Sequence, residues 1–410
     1  MATIKKIVAS EVINSRGYPT IYASLILDND SKVSTSVPSL ERLYDYQVME
    51  LKDNDENRFG GKGVSRAVSF INDLVGPKLK GVDLSKQLEI DDWLTKSDNT
   101  KTKRVLGVNT ILTISRLVAK AAASDQKIPL FKYINNLFNK IVQPGASIDK
   151  LPSPIFPLMM GGKHGQVNLD FKEFQIVPSS SLTYSHSYQT GVDMYHLLRQ
   201  MYKFSFSYNL DVVDAIKDTV ERKGMVFGRD IFLGINFGAS AFHSGNRYVI
   251  KDRQQPINGG EFLNFIFKSV LSKYSLLMAT DPFSNEDWQN WNKLNELVPS
   301  ETYLVADELV GSNKERLERA IKEKSCSAVI IRPNQVGTVT ETIALVGIAK
   351  KSQISYQIGS DFEETNDNFI ADFSVGIGTE FVNFGPPVHG ENVAKYNRLL
   401  EIERELKIRK

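Results

Sequence analysis

A run of short apolar segments at near-even spacing constrains this chain most. Phe174 to Val177, Ile231 to Phe237, Leu276 to Ala279, Tyr303 to Ala306, Ala328 to Ile331, Ile354 to Tyr356 and Phe381 to Phe384 each read as a buried strand, with amphipathic stretches between them. Intervals of roughly 25 to 30 residues suit βα units. At least seven such units in series favour an α/β fold of the (β/α)8 type over an open sheet, and that architecture places functional side chains just past the strand ends.

The chain ahead of Pro152-Ser153-Pro154 follows a different pattern. Ile4 to Val12 and Tyr18 to Leu27 read as strands of a β meander, divided by Asn14-Ser15-Arg16-Gly17 and followed by a second turn at Asp28-Asn29-Asp30. Val64, Ala67, Val68, Ile71, Leu74 and Val75 recur at helical spacing, as do Val108, Ile111, Leu112, Leu117 and Val118. The pattern predicts a small α+β domain over residues 1–135 and a barrel domain over 136–410.

Charge narrows the choice of partners. Fifty Lys and Arg against 48 Asp and Glu leave a net charge of +2, too balanced for a surface that tracks nucleic-acid phosphates. Cys326 is the only cysteine, so no intrachain disulfide forms and the residue reads as a small buried apolar group. No apolar run reaches the roughly 20 residues of a membrane span, and the start MATIKKIVASEVINS lacks a secretory profile. A cytoplasmic location is the expectation.

The loops beside the strands carry distinctive motifs. ASEVINSRGYPT occupies 9–20, Ser36-Val37-Pro38-Ser39 and Phe59-Gly60-Gly61-Lys62-Gly63-Val64 follow, and Gly161-Gly162-Lys163-His164 precedes Glu173-Phe174. Asp281-Pro282-Phe283, Val305-Ala306-Asp307, Asn334-Gln335-Val336-Gly337-Thr338, Phe369-Ile370-Ala371-Asp372 and Ala394-Lys395-Tyr396-Asn397 come in order behind them. In order and spacing these motifs resemble the enolase family over nearly the whole chain. The resemblance implies an N-terminal α+β capping domain, an enolase-type TIM-like barrel with a ββααβα start, and a dimer.

The resemblance also assigns roles, and this chain departs from most of them. Enolases use a lysine to take a proton from 2-phosphoglycerate, Mg²⁺ to stabilise the enolate, and a glutamate to help hydroxide leave. The three metal positions fall on Asn236, Thr280 and Asp307, of which only Asp307 is a carboxylate. A hard divalent cation needs anionic oxygens to offset its dehydration, so two lost charges weaken Mg²⁺ binding by several kcal/mol. The lysine position holds Arg332, whose guanidinium cannot act as a base near neutrality. The family's Gly-Asp-Glu-Gly-Gly loop has no counterpart around Phe206 to Asp218. The substrate clamp falls on Ser39, Ser360, Asp361 and Asn383, where Asp361 repels the phosphate an arginine would hold. Leu40 to Tyr44 is bulky where the family has a glycine-rich mobile loop, and reads as a fixed plug.

His164 and Glu173 persist at catalytic positions of the family. A hydrogen-bonded loop histidine is the plain alternative for His164. Glu173 and Asp307, with Glu308, Asp361, Glu363 and Glu364, form either a weak cation site or a set of solvated acids at the barrel rim. Arg332 at the barrel mouth must be paired, with Asp307 or Asp361 as natural partners, in a structural salt bridge or an anion site. His186, His196, His243 and His389 show no metal-ligand spacing. Trp288 and Trp291 read as core, and Glu401 to Lys410 as a charge-laced helix end.

These departures predict an enolase-like pseudoenzyme with a structural, regulatory or binding role. It is expected to need no cofactor and to pair with itself or with a true enolase. The alternatives are retained phosphopyruvate hydratase activity, which would require Mg²⁺, and a different lyase or small-anion binder in the same barrel mouth using His164, Glu173 and Arg332.

Overall fold

The computed structural model describes residues 2–40, 44–166, 168–203 and 206–408, the side chains of His164 and Ile408 excepted. Strand β1 (Ile4–Ile13) pairs antiparallel with β2 (Pro19–Leu27), and β2 with β3 (Lys32–Ser36). The first turn forms because Asn14 Oδ1 accepts the backbone N–H groups of Arg16 and Tyr18 at 2.9 and 3.0 Å, while Gly17 takes a φ of 80° that a side chain would resist. Helices α1 (65–79, with π-helical turns at Phe70–Val75), α2 (Gln87–Asp98), α3 (Val108–Asp125) and α4 (Leu130–Ile141) follow. Helix α3 is buried along nearly its whole length, as its apolar composition requires, and packs against β2 and β3.

Eight strands then close into a barrel: β4 (Ser153–Met160), β5 (Glu173–Pro178), β6 (Ile231–Asn236), β7 (Leu276–Thr280), β8 (Tyr303–Ala306), β9 (Ala328–Ile331), β10 (Ser355–Gly359) and β11 (Phe381–Asn383). Helices α5 (Tyr184–Tyr202) and α6 (Asn209–Arg222) separate β5 from β6, and α7 (259–271), α8 (Trp288–Leu297), α9 (Lys314–Glu323), α10 (Val339–Lys351), α11 (Phe369–Gly376) and α12 (Gly390–Ile408) complete the outer ring. Strand β5 runs antiparallel to both β4 and β6, while the other barrel pairs are parallel. The barrel therefore begins ββααβα.

Sequence periodicity misses β4. Its stretch SPIFPLMM carries Pro154 and Pro157, which cannot donate to a ladder, and the β4–β5 register shifts between Pro157 and Met159 to accommodate the second. Elsewhere the strands fall within a few residues of their apolar runs. The period-two alternation of a strand turns Ala328, Ile330 and Arg332 inward in succession, and likewise Val177, Gln175 and Glu173. An apolar plug of Ile155, Val177, Met278, Val305, Ala328 and Ile330 fills the barrel below its mouth.

The N-terminal domain is fastened across the mouth by polar contacts with the barrel. Asp91 Oδ2 and Ser115 Oγ accept the N–H groups of Thr340 and Val339 in the first turn of α10, at 3.1 and 2.9 Å. Lys103 pairs with Glu341 at 2.8 Å and Lys120 with Asp367 at 2.6 Å. Helix α4 runs through residue 135 and packs on α10 and α11 of the barrel. Among the described residues no helix is long and apolar enough to cross a membrane. Trp288 and Trp291 are buried at 7% and 0% exposure, as core residues.

Candidate functional site

A cavity of about 780 Å³ opens at the barrel mouth between the strand ends and the N-terminal domain. Because β5 is reversed, its first residue rather than its last lies at this end, and the register sets Glu173 beside Asn236. Glu173, Asn236, Asp307, Arg332, Ser360, Asp361 and Asn383 all line the cavity, as does Ser39 of the N-terminal domain. Thr280 does not. It ends β7 at 2% exposure and is not a wall residue, so only two of the three expected metal positions face the cavity.

Arg332 dominates the floor. Its Nη1 donates to Asp307 Oδ1, its Nε donates to the carbonyl of Ser360 at 3.3 Å, and Asp361 Oδ1 lies 3.9 Å from Nε. Gly359 makes room, because a Cβ there would stand 3.3 Å from Nη2. Burial opposes the charge of Arg332, but Asp307 and Asp361 more than offset it and hold the guanidinium charged. For Asp307 burial alone would push the carboxyl up; Arg332 and then Lys172 outweigh it and hold the acid below its ordinary range. Asp361 goes the other way: burial outweighs Arg332 and raises its carboxyl, which also accepts from Asn334 Nδ2.

Glu173, at 6% exposure, is held from one side only. Gln175 Nε2 and Asn383 Nδ2 donate to Oε2 at 2.6 and 3.1 Å, whereas Oε1 makes no hydrogen bond with the described residues. Gly234 is required beneath this arrangement, since a Cβ there would lie 2.8 Å from Gln175 Oε1. Asn236 leaves its buried Oδ1 without a partner among the described residues. Behind the floor, Asp281 accepts the N–H groups of Asp307 and Glu308, and burial followed by repulsion from Glu308 and Asp307 drives its carboxyl far toward the neutral form.

Sequence reading overlooked Lys172, immediately before β5. Its ammonium is 3.7 Å from Glu308, and Glu308, Asp307 and Glu173 offset the burial that would discharge it. No motif marked this residue; only the reversal of β5 brings it to the wall. Sequence reading also set aside His389, which lines the rim. Glu364 does not face the cavity and instead pairs with Lys395 of α12 at 3.1 Å, both side chains being almost fully buried.

The segment leading from β3 to α1 is tied to the barrel. Tyr44 Oη donates to Glu308 Oε2 at 2.8 Å and Tyr46 Oη to the Glu308 carbonyl at 2.6 Å, with the two rings stacked at 5.3 Å. Arg316 lies 4.0 Å over the Tyr46 ring, whose edge fits against Gly311. Leu40 packs with Val48 and Val108. Residues 41–43 of the expected plug lie outside the described residues, as does the His164 side chain. Tyr44 and Tyr46 nonetheless fix the segment's far end to the rim.

The donor set does not suit Mg²⁺. Asp307 is bound by a guanidinium, and Asn236 and Thr280 are neutral, so three anionic oxygens do not converge. Among the described residues no group of three or more His, Cys, Asp or Glu side chains could hold a metal ion. Nor does the stretch after Phe206 provide an acid: Asp214 accepts from Tyr274 and Asp218 from Tyr202, each at 2.6 Å, and neither lines the cavity.

Comparison with known proteins follows the same outline. Residues 4–134 match the family description "Enolase, N-terminal domain" and residues 149–409 "Enolase, C-terminal TIM barrel domain". A protein named enolase from Ehrlichia canis (strain Jake) is 33% identical over 422 residues, covering 99% of this chain and 97% of its own. Proteins of the same name from Acidothermus cellulolyticus and Helicobacter pylori (strain P12) are 33% and 32% identical, with 99% of this chain covered and 95% and 97% of theirs.

Proposed function

The chain belongs to the enolase family, and from that premise we propose that it is a member without phosphopyruvate hydratase activity, serving a structural, regulatory or binding role. One observation carries this reading: Arg332 pairs with Asp307. The residue at the family's base position is a permanent cation, and it neutralises the single carboxylate left at the family's metal positions. Both catalytic requirements are thus lost to one internal ion pair, and Asp361 faces the space where the substrate's phosphate would need a cation. Self-association, or pairing with a catalytically competent enolase in the cytoplasm, is the use we favour for a fold kept under these conditions. Retained hydratase activity with Mg²⁺ is the second reading, and the full-length similarity to proteins named enolase favours it.

Turnover of 2-phosphoglycerate to phosphoenolpyruvate by the purified chain, across a wide Mg²⁺ range, tests the proposal, with Asp307→Ala as the check for a contaminating enzyme. The expected result is no turnover above that of the variant. Activity that the substitution abolishes would establish the second reading.

A further inference from the structure

The floor of the cavity holds more negative than positive charge. Of the charged residues lining the cavity, the acids Glu173, Asp307, Glu308 and Asp361 gather with the cations Lys172 and Arg332 at and just beyond the barrel strand ends, while Arg16, Lys62, Lys163, Glu363 and Glu391 complete the wall. These groups are largely out of water, with side-chain exposures between 5% and 20% for the ion-paired members, so the imbalance is costly unless something cationic enters or a proton is taken up. Arg332 is committed to Asp307 and Asp361, and Lys172 to Glu308. Glu173 has an oxygen, Oε1, without a hydrogen bond from the described residues, on a side chain otherwise fixed by two amide donors and with no cation paired to it among them. A fixed, nine-tenths-buried carboxylate with one open oxygen in a cavity is built to accept hydrogen bonds from a charged donor.

The outer wall has the opposite character. Lys62 of the N-terminal domain lies 3.4 Å over the Tyr18 ring and Arg16 6.0 Å from the Phe362 ring, and neither forms a salt bridge with the described residues. The cavity between is large enough for a small organic molecule.

We propose that the barrel mouth binds a small zwitterion, its ammonium group on Glu173 Oε1 and its acidic group at Arg16 and Lys62. This rests on the reading that Arg332 has displaced metal and base chemistry from the floor. An ammonium supplies positive charge beside Glu173 and donates to its open oxygen, while the rim cations receive the anion. Neither end is served by a simple anion or a simple amine alone.

Isothermal titration of the intact protein with γ-aminobutyrate, n-butylamine and butyrate tests this. The amino acid is expected to bind at least tenfold more tightly than either single-charge analogue. Glu173→Gln should reduce its affinity tenfold or more, and Lys62→Gln, a rim change away from the barrel core, should weaken it several-fold without altering the butylamine affinity. Equal affinities for the three probes, or an affinity indifferent to both substitutions, would overturn the proposal. So would heat from Mg²⁺ alone at this cavity. Hydratase turnover by the same preparation would count against the inactive reading, whereas absence of both turnover and zwitterion binding would sink only the ligand proposal.

Discussion

Arg332 Nη1 and Asp307 Oδ1 form an ion pair across the ends of neighbouring strands, the side chains being 12% and 5% exposed. Such a pair need not add net stability, but removing one partner leaves a buried charge unpaired, at a cost of about 3–5 kcal/mol. Arg332→Ala should therefore lower the unfolding free energy by about that amount, and pairing it with Asp307→Asn should recover a large part of the loss. Chemical denaturation of the two single variants and the double variant checks this. Additive losses would show that the pair is not coupled as the structure has it.

Tyr46 should act as a clamp on the segment between β3 and α1. Tyr46→Phe keeps the ring against Arg316 and Gly311 but removes the donor to the Glu308 carbonyl, at a cost of about 0.5–1.5 kcal/mol. Tyr46→Ala removes the stacking on Tyr44 as well and should raise hydrogen exchange of the Gln47 and Met49 amides much further. Unchanged exchange in the alanine variant would show that the clamp lies elsewhere.

Stability should fall with rising pH through a window set by Glu50. Burial pushes this carboxyl up to about 7; Lys52, 3.1 Å from Oε2, pulls only partly against it, as an ion pair rather than an aligned hydrogen bond. An acid whose folded pKa is raised binds more protons folded than unfolded, so folding is favoured at low pH and penalised as pH climbs from about 4.5 to about 7. Asp91, pushed up to about 6 by burial, acts in the same sense. Glu50→Gln should stabilise the protein by about 1–3 kcal/mol near pH 8 and do little near pH 4.5. Denaturation midpoints of both proteins across that range give the answer. A variant that loses stability at pH 8 would mean the Lys52 pair outweighs burial.

Gly234→Ala should disturb Glu173 without touching it. The added Cβ would meet Gln175 Oε1 at 2.8 Å and push away the donor that fixes Glu173 Oε2 at 2.6 Å. A loss of about 1–3 kcal/mol in stability is expected from overpacking, which thermal unfolding measures.

Seven barrel strands were legible because each is a short apolar run between polar helices, so composition and spacing agree with the structure. Strand β4 was not, since Pro154 and Pro157 break the signal a strand normally gives and only its barrel neighbours show that it pairs. The strand-end positions Glu173, Asn236, Asp307, Arg332 and Asn383 could be placed from motifs, and they do meet at one cavity. Thr280 shares the inward face with Met278 and pairs in register with Asn236, yet at 2% exposure it does not line the cavity. Lys172 and Tyr46 were invisible for a different reason. Their roles depend on contacts with Glu308 across 136 and 262 residues of chain, and no local pattern encodes those distances.

On the proposed reading, Arg332 stands in the place of a metal ion beside Asp307. Binding of Mn²⁺, as a paramagnetic stand-in for Mg²⁺, measures this most directly in the intact protein. No saturable site is expected at ion concentrations up to the millimolar range, with the spectrum of free Mn²⁺ unchanged by the protein. One tightly held ion per chain, lost on Asp307→Asn, would contradict it and place a working metal centre where the ion pair now stands.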